Sequence, residues 1–341
     1  MHQALLRIAA AGTLFACASD DASQSTHGSG AGFGSGAATA SGPTTASTGS
    51  GASGASGGSS GGGPPQGTTF FAEDFEDTDF ASRGWYDGAV GAITTAEFQS
   101  GASSLVCHWQ QGQALPGASG QWTFRHEFPD SDRVYVSVWW KFSSNWIGSG
   151  TNYHPHLLLV LTNENADYAG PAYTHLTTYI ETVFGYPRLA LQDGQNIDES
   201  NINVDLVGTT ENRATQGCNG FGDSYTSGAS CYSVGSVHWN GRVWDGPGAN
   251  LVDGNWHHIE AYFQLNTIVN GIGVADGYMA YWVDGSKIVD VPNVLMRTGQ
   301  WPSMKFNQFM LAPYMQPGNG SPIDQTLWMD NLVVRDVPLG E

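Results

Sequence analysis

The sequence predicts an all-β domain, an antiparallel sandwich or jelly roll, and three observations carry that reading. Beyond residue 67, short runs of alternating apolar and polar residues recur between clusters of Gly, Asn, Asp and Pro, the period-two signature of half-buried strands. No segment combines a helical stripe with caps, and neither βα alternation nor an internal repeat is present. Charged residues make up only 13% of the 341 residues while aromatics reach 12%, with 12 Trp, a composition suited to broad packed sheet faces.

The chain opens with a segment, residues 1–17, in which one cation, Arg7, precedes a short apolar stretch from Ile8 to Ala16 and then Cys17. That is a secretory signal pattern. Leu14-Phe15-Ala16-Cys17 resembles the lipobox of bacterial lipoproteins, which implies lipidation at Cys17, a membrane partner through that lipid, and a place in the cell envelope. Residues 18–67 are nearly all Gly, Ser, Ala and Thr and end in Pro64-Pro65 and a short polar stretch. Such a segment has too little apolar surface to offset its chain entropy. As a random coil it reaches about 40 Å, so it reads as a leash.

The folded domain is expected over 68–341. Its clearest strand is Val134 to Phe142, with Val134, Val136, Val138, Trp140 and Phe142 on one face and Tyr135, Ser137, Trp139 and Lys141 on the other. His156 to Leu161, His175 to Val183, Arg188 to Gln192, His257 to Leu265, Tyr278 to Asp284, Lys305 to Leu311 and Leu327 to Val334 read as further strands. Cys218 and Cys231 bracket a Gly/Ser-rich loop, and in an exported protein they are expected to form a disulfide. Cys107 lies in an alternating run and reads as a buried free thiol.

Acidic residues exceed basic ones by 31 to 12, a net charge of −19. This excludes nucleic-acid binding, which needs a basic face to displace counterions. No apolar run approaches the length of a membrane-spanning helix.

Several segments resemble the concanavalin-A-like jelly-roll sandwiches of two antiparallel sheets found in polysaccharide lyases and related glycan-binding proteins. They are Phe71 to Asp77 with Gly84-Trp85, Gly101 to Leu105, Asp253 to Glu260, Gly277 to Gly285 and Trp328 to Val334. The resemblance spans most of 69–337 and implies a polysaccharide partner. The retaining glucanases of this fold use two carboxylates on one strand face, about 5 Å apart. The acidic clusters here, Glu73 to Asp79 and Asp198-Glu199, do not supply such a pair, and Glu181 is alone in its strand.

The hairpin from His175 to Gln192 carries the candidate chemistry. If Phe184 to Pro187 form a four-residue turn, Val183 opposes Arg188, Glu181 opposes Ala190 and Tyr179 opposes Gln192. Leu176, Ile180, Leu189 and Leu191 then share the buried face. His175, Thr177, Tyr179, Glu181, Arg188 and Gln192 share the other face, expected to open to solvent. Tyr135, Trp139 and Lys141 are expected to pave the same concave surface. β-Elimination from a uronate needs a base for the proton beside the carboxylate, a cation or amide to stabilise the charge, and an acid for the leaving oxygen. By resemblance to lyases of this fold, Tyr179 or His175 is the base or acid, and Arg188 and Gln192 stabilise the carboxylate. Trp139 is a stacking platform, and Tyr135, Lys141, Glu181 and His156 bind substrate. His154 with His156, and then His126, are further candidates. No cofactor is required. The resemblance also implies a structural calcium, with Glu73, Asp74, Glu76 and Asp330 as its ligands. The expected function is a surface-tethered polysaccharide lyase; the alternative is a non-catalytic glycan-binding lipoprotein of the same fold.

Overall fold

The computed structural model describes residues 67–86, 91–117, 124–151, 156–162, 176–192, 232–234, 237–239, 241–246, 248–297, 299, 302–315 and 320–338. Cys17, most of the leash, the Cys218–Cys231 pair, His154 and His175 lie outside the described residues. Among the described residues the regular structure is strand alone, apart from one 3-10 turn at Phe80–Arg83.

Two antiparallel sheets make the domain. The larger has eight strands. These are β1 (Thr69–Glu73), β2 (Ala92–Thr94), β3 (Ser104–Trp109), β5 (Arg133–Phe142), β12 (Trp256–Gln264), β15 (Gly277–Val283), β16 (Ser286–Val294) and β18 (Gln325–Arg335). They run in the order β16-β15-β12-β5-β18-β3-β2, with β1 also paired to β18. The smaller sheet has six strands, β4 (Phe124–Ser131), β6 (His156–Thr162), β7 (Thr177–Val183), β8 (Tyr186–Gln192), β11 (Gly241–Asp245) and β17 (Phe306–Tyr314), in the order β11-β8-β7-β6-β17-β4. Two short ribbons complete it, β9 (Tyr232–Val234) with β10 (Val237–Trp239), and β13 (Ile268–Val269) with β14 (Ile272–Gly273).

Alternation places the core between the sheets. Val134, Val136, Val138, Trp140 and Phe142 of β5 meet Leu158, Val160, Ile180, Leu189, Phe309 and Leu311 of the smaller sheet in one buried cluster. Each large aliphatic side chain so buried contributes about 1.5–3 kcal/mol. Cys107 is a free thiol in this core, and burial pushes its pKa up.

Two polar clamps tie the margins to the core. Glu73, at the end of β1, accepts from Arg83 Nε (2.8 Å), Trp85 Nε1 (2.8 Å) and the Phe75 amide (3.0 Å). A buried carboxylate with three donors is stable; the same donors facing a neutral amide are not. Glu73→Gln is therefore expected to destabilise the domain by about 3 kcal/mol in denaturant titrations.

At the β15–β16 turn, His257 Nδ1 lies 2.8 Å from Asp284 Oδ2 and Nε2 lies 2.9 Å from Asp253 Oδ1. Burial alone would lower the His257 pKa, but the hydrogen bonds to Asp284 and Asp253 outweigh it and raise the pKa. His258, the next residue, faces the opposite side and stacks on Trp139 with ring centroids 4.9 Å apart. The raised pKa means that the contribution of His257 to stability is complete below about pH 6.5 and is lost as pH rises through the folded-state value. Melting temperatures measured from pH 6 upward should fall over that window, and His257→Gln should flatten the fall.

Candidate active site

The hairpin of β7 and β8 closes with a two-residue turn, not the four-residue turn expected from the sequence. Phe184 (φ 50°) and Gly185 (φ 82°) both take left-handed backbone conformations, as the type I′ hairpin turn requires, and Val183 pairs with Tyr186. The register therefore moves by two residues. A shift of two preserves every side chain's face but changes its partner. Glu181 stands opposite Arg188, Tyr179 opposite Ala190, and Thr177 opposite Gln192. Ile180, Leu189 and Leu191 enter the inter-sheet core, as the parity predicts.

The other face carries the polar residues. A rung of charge crosses three strands, with Glu181 paired to Arg188 and Arg188 paired to Asp245 of β11. Arg188 donates through Nε to Asp245 Oδ1 (2.6 Å) and through Nη2 to Asp245 Oδ2 (3.2 Å). Glu181, with a fully buried side chain, places Oε1 2.7 Å from Nδ1 of His156, the first residue of β6. The imidazole lies between two phenols. Its ring centroid is 4.7 Å from that of Tyr179 and 5.7 Å from that of Tyr314, to which it is nearly parallel at 8°. The next rung runs Val243–Ala190–Tyr179–Leu159–Met310–Arg125, from β11 to β4. At its β4 end Arg125 donates to Gln308 Oε1 (3.3 Å), and Gln308 donates to the Tyr86 hydroxyl.

This face is less open than the alternation alone implies. Tyr179 is 4% exposed, Arg188 5% and Glu181 0%, because Leu159, Leu161, Met310, Ala312 and Tyr314 pack around Tyr179 in a second apolar cluster. Solvent reaches the group at the His156 side chain (17% exposed) and the Asp245 side chain (49%). The pair His156–Glu181 thus combines a deeply buried carboxylate with an imidazole at the rim.

Other expectations change place. Tyr135, Trp139 and Lys141 do not join this surface, because β5 belongs to the larger sheet and turns them to its outer face. There Tyr135 donates to Glu260, Trp139 stacks on His258, and Lys141 bonds Glu97 at 2.7 Å while lying over Trp328. His126 alternates to the core side, stacked on Phe71 at 4.0 Å, with both ring nitrogens against backbone carbonyls of Arg83 and Glu127. Gln192 keeps its strand position by backbone pairing. His175 and His154 lie outside the described residues. Sequence reasoning missed Tyr314, Asp245 and Gln308; each comes from a strand whose sheet neighbours are not coded by local pattern.

The four carboxylates expected to hold calcium all accept hydrogen bonds from within the chain, Asp74 from the Glu76 amide (3.3 Å). Glu73 is bound by Arg83 and Trp85. Glu76 accepts the Ala102 amide. Asp330 accepts the amides of Gln99 (2.8 Å) and Ser100 (3.1 Å). Burial raises the pKa of Asp330, with the nearby Glu76 adding to the rise and the amides opposing it. Among the described residues no group of three or more His, Cys, Asp or Glu is arranged to hold a metal.

No protein-family model matches the sequence, and no curated protein sequence matches it. Among solved structures, the domain is similar to the marine PL-14 alginate lyase from Aplysia kurodai, with a TM-score of 0.52 and 14% identity over 78% of this chain and 98% of that one. The fold is a polysaccharide-lyase-like jelly roll. The endo-β-1,4-glucuronan lyase from Trichoderma reesei gives a TM-score of 0.47 at 15% identity over 79% of this chain and 96% of that one. A laminarinase from Flavobacterium gives 0.41 at 12% identity over 79% and 100%. This jelly roll, with Glu73, Glu76 and Asp330 engaged by its own donors, is expected to melt at the same temperature in excess EDTA and in millimolar calcium. A calcium-dependent rise in scanning calorimetry would show that these carboxylates do bind the ion.

Proposed function

We propose that the protein is a polysaccharide lyase acting by β-elimination on a uronate-containing glycan, and that His156, not Tyr179, is its base. The observation that carries this reading is the His156–Glu181 pair. A carboxylate fixed on Nδ1 sets the tautomer and orientation of an imidazole and strengthens the other nitrogen, Nε2, as a proton acceptor.

In the proposed reaction His156 Nε2 takes the proton from the carbon beside the uronate carboxylate. The electron pair left behind forms the new carbon–carbon double bond as the bond to the glycosidic oxygen at the neighbouring carbon breaks. A proton from a phenol satisfies the departing oxygen. Tyr179, whose ring adjoins the imidazole, supplies that proton. Arg188 provides the positive charge on the neighbouring rung against which negative charge on the substrate carboxylate is stabilised. Gln192 is kept as a second donor from its place opposite Thr177. The buried Glu181 holds the imidazolium formed in the first half of the reaction.

The acidic chain as a whole does not attract a polyanion, so recognition of the substrate rests on local charge at Arg188 and on contacts with the sugar rings. An extracellular, lipid-anchored position, as the N-terminal sequence suggests, supports contact with polymers too large to enter a cell. The burial of Tyr179 and Arg188 favours a second reading, a non-catalytic glycan-binding protein of the same fold.

The two readings separate in one assay. Elimination creates an unsaturated uronate that absorbs in the ultraviolet, so the purified chain is tested against alginate, glucuronan, pectate and glycosaminoglycans. Absorbance that grows with time supports the lyase; binding without it supports the alternative. For a lyase, His156→Ala is expected to lower kcat by about 10²–10⁴-fold with the fold intact by circular dichroism. Glu181→Gln should lower kcat, because the imidazole loses the carboxylate that orients it. Retention of full turnover by His156→Ala would remove His156 as base.

A further inference from the structure

The turn that sets the hairpin's register also displays two aromatic rings. Phe184 is 42% exposed and Tyr186 39% exposed, in a domain whose large apolar side chains are otherwise mostly buried. Tyr186 pairs with Val183 and lies two residues from Arg188, so it shares the face of Arg188, Glu181 and Tyr179. Among the described residues it is the exposed ring of that face, about 7 Å along β8 from the buried arginine.

The choice of residue at this turn runs against local preference. The β13–β14 turn uses Asn270-Gly271 and the β15–β16 turn uses Asp284-Gly285, with left-handed backbones at all four positions. Asn and Asp accept that conformation readily; a bulky residue does not. Phe184 holds it with φ 50°. An exposed aromatic ring in a conformation it disfavours adds nothing to the core and lowers the stability of the turn, which points to a use outside folding.

The turn is also immobilised from behind. The Leu251 amide donates to the Gly185 carbonyl (2.9 Å) and the Gly246 amide to the Pro187 carbonyl (2.8 Å). A side chain at Gly185 would come within 2.3 Å of Val252. The rings are therefore presented on a fixed support, which reduces the entropy lost when they capture a ligand.

We infer that Tyr186, flanked by Phe184, is a sugar-stacking subsite that receives the apolar C–H face of a pyranose ring next to the one held at His156. This inference rests on the proposed polyuronate substrate and deepens it: it places on the hairpin the aromatic platform that Trp139 does not provide. The acidic ring sits at His156, within reach of the positive charge of the buried Arg188, and its neighbour stacks on Tyr186. Such a subsite selects for chains long enough to reach both, and a lone uronate monosaccharide gains nothing from it.

The test uses the full-length chain and defined uronate oligosaccharides of increasing length, from the polymer that the wild-type chain binds. Affinity is measured by calorimetry and turnover by ultraviolet absorbance. Tyr186→Ala is expected to weaken binding and raise KM about tenfold for the longer oligosaccharides, with a much smaller change in kcat and none in melting temperature. Tyr186→Phe should recover wild-type affinity, because stacking needs the ring and not the hydroxyl. Phe184→Asn should stabilise the turn yet lower affinity. Wild-type binding without turnover, weakened by Tyr186→Ala, would overturn the lyase reading and sustain the subsite. Equal affinities and equal KM values for wild type and Tyr186→Ala at every length would overturn the subsite and leave the lyase reading standing. Failure of the wild-type chain to bind any of the four glycans would overturn both.

Discussion

Successive side chains of a β-strand point to opposite faces, and two sheets packed together can bury only one face of each. Nearly everything specific about this protein follows from that constraint. In β7 and β8 it commits Ile180, Leu189 and Leu191 to the core and leaves Tyr179, Glu181 and Arg188 on the far side. In β5 it commits Val134 to Phe142 at every second position and leaves Tyr135, Trp139 and Lys141 outside. The polar residues of the two segments are equally well separated from the core, yet they end on opposite surfaces of the sandwich.

Polar groups that lose water on this scaffold are paired. Glu73 is met by Arg83 and Trp85, and Asp330 by two backbone amides of the facing loop. Glu181 meets His156. In the first two the partners are donors of fixed protonation, and the carboxylates serve the architecture. In the third the partner is a titratable ring at the rim, which makes that pair capable of moving a proton. The same physical demand, that a buried charge be compensated, yields clamps in two places and a candidate reactive centre in the third.

Residues 184 to 186 join fold and candidate function. A longer turn would put Arg188 opposite Val183; the two-residue turn puts it opposite Glu181 and next to Asp245. Charge is thereby concentrated on one rung, beside His156 and below Tyr186. The register is set by backbone geometry at Phe184 and Gly185, a position at which the composition gives an incomplete signal because Gly is present and the usual Asn or Asp is not.

Period-two alternation made the all-β class, most strand positions and the inward or outward sense of each hairpin residue legible from the sequence alone, since those depend only on neighbours along the chain. It also placed Tyr179, Glu181 and Arg188 on one face of the hairpin, while their grouping with His156 as candidate chemistry came from the resemblance to lyases of this fold. It could not tell that β5 joins a different sheet from β7, that Tyr314 of β17 and Asp245 of β11 stand beside His156 and Arg188, or that apolar neighbours close over Tyr179. Those outcomes arise from contacts between residues far apart in sequence, where strand order and packing decide which faces meet, and no local pattern encodes them.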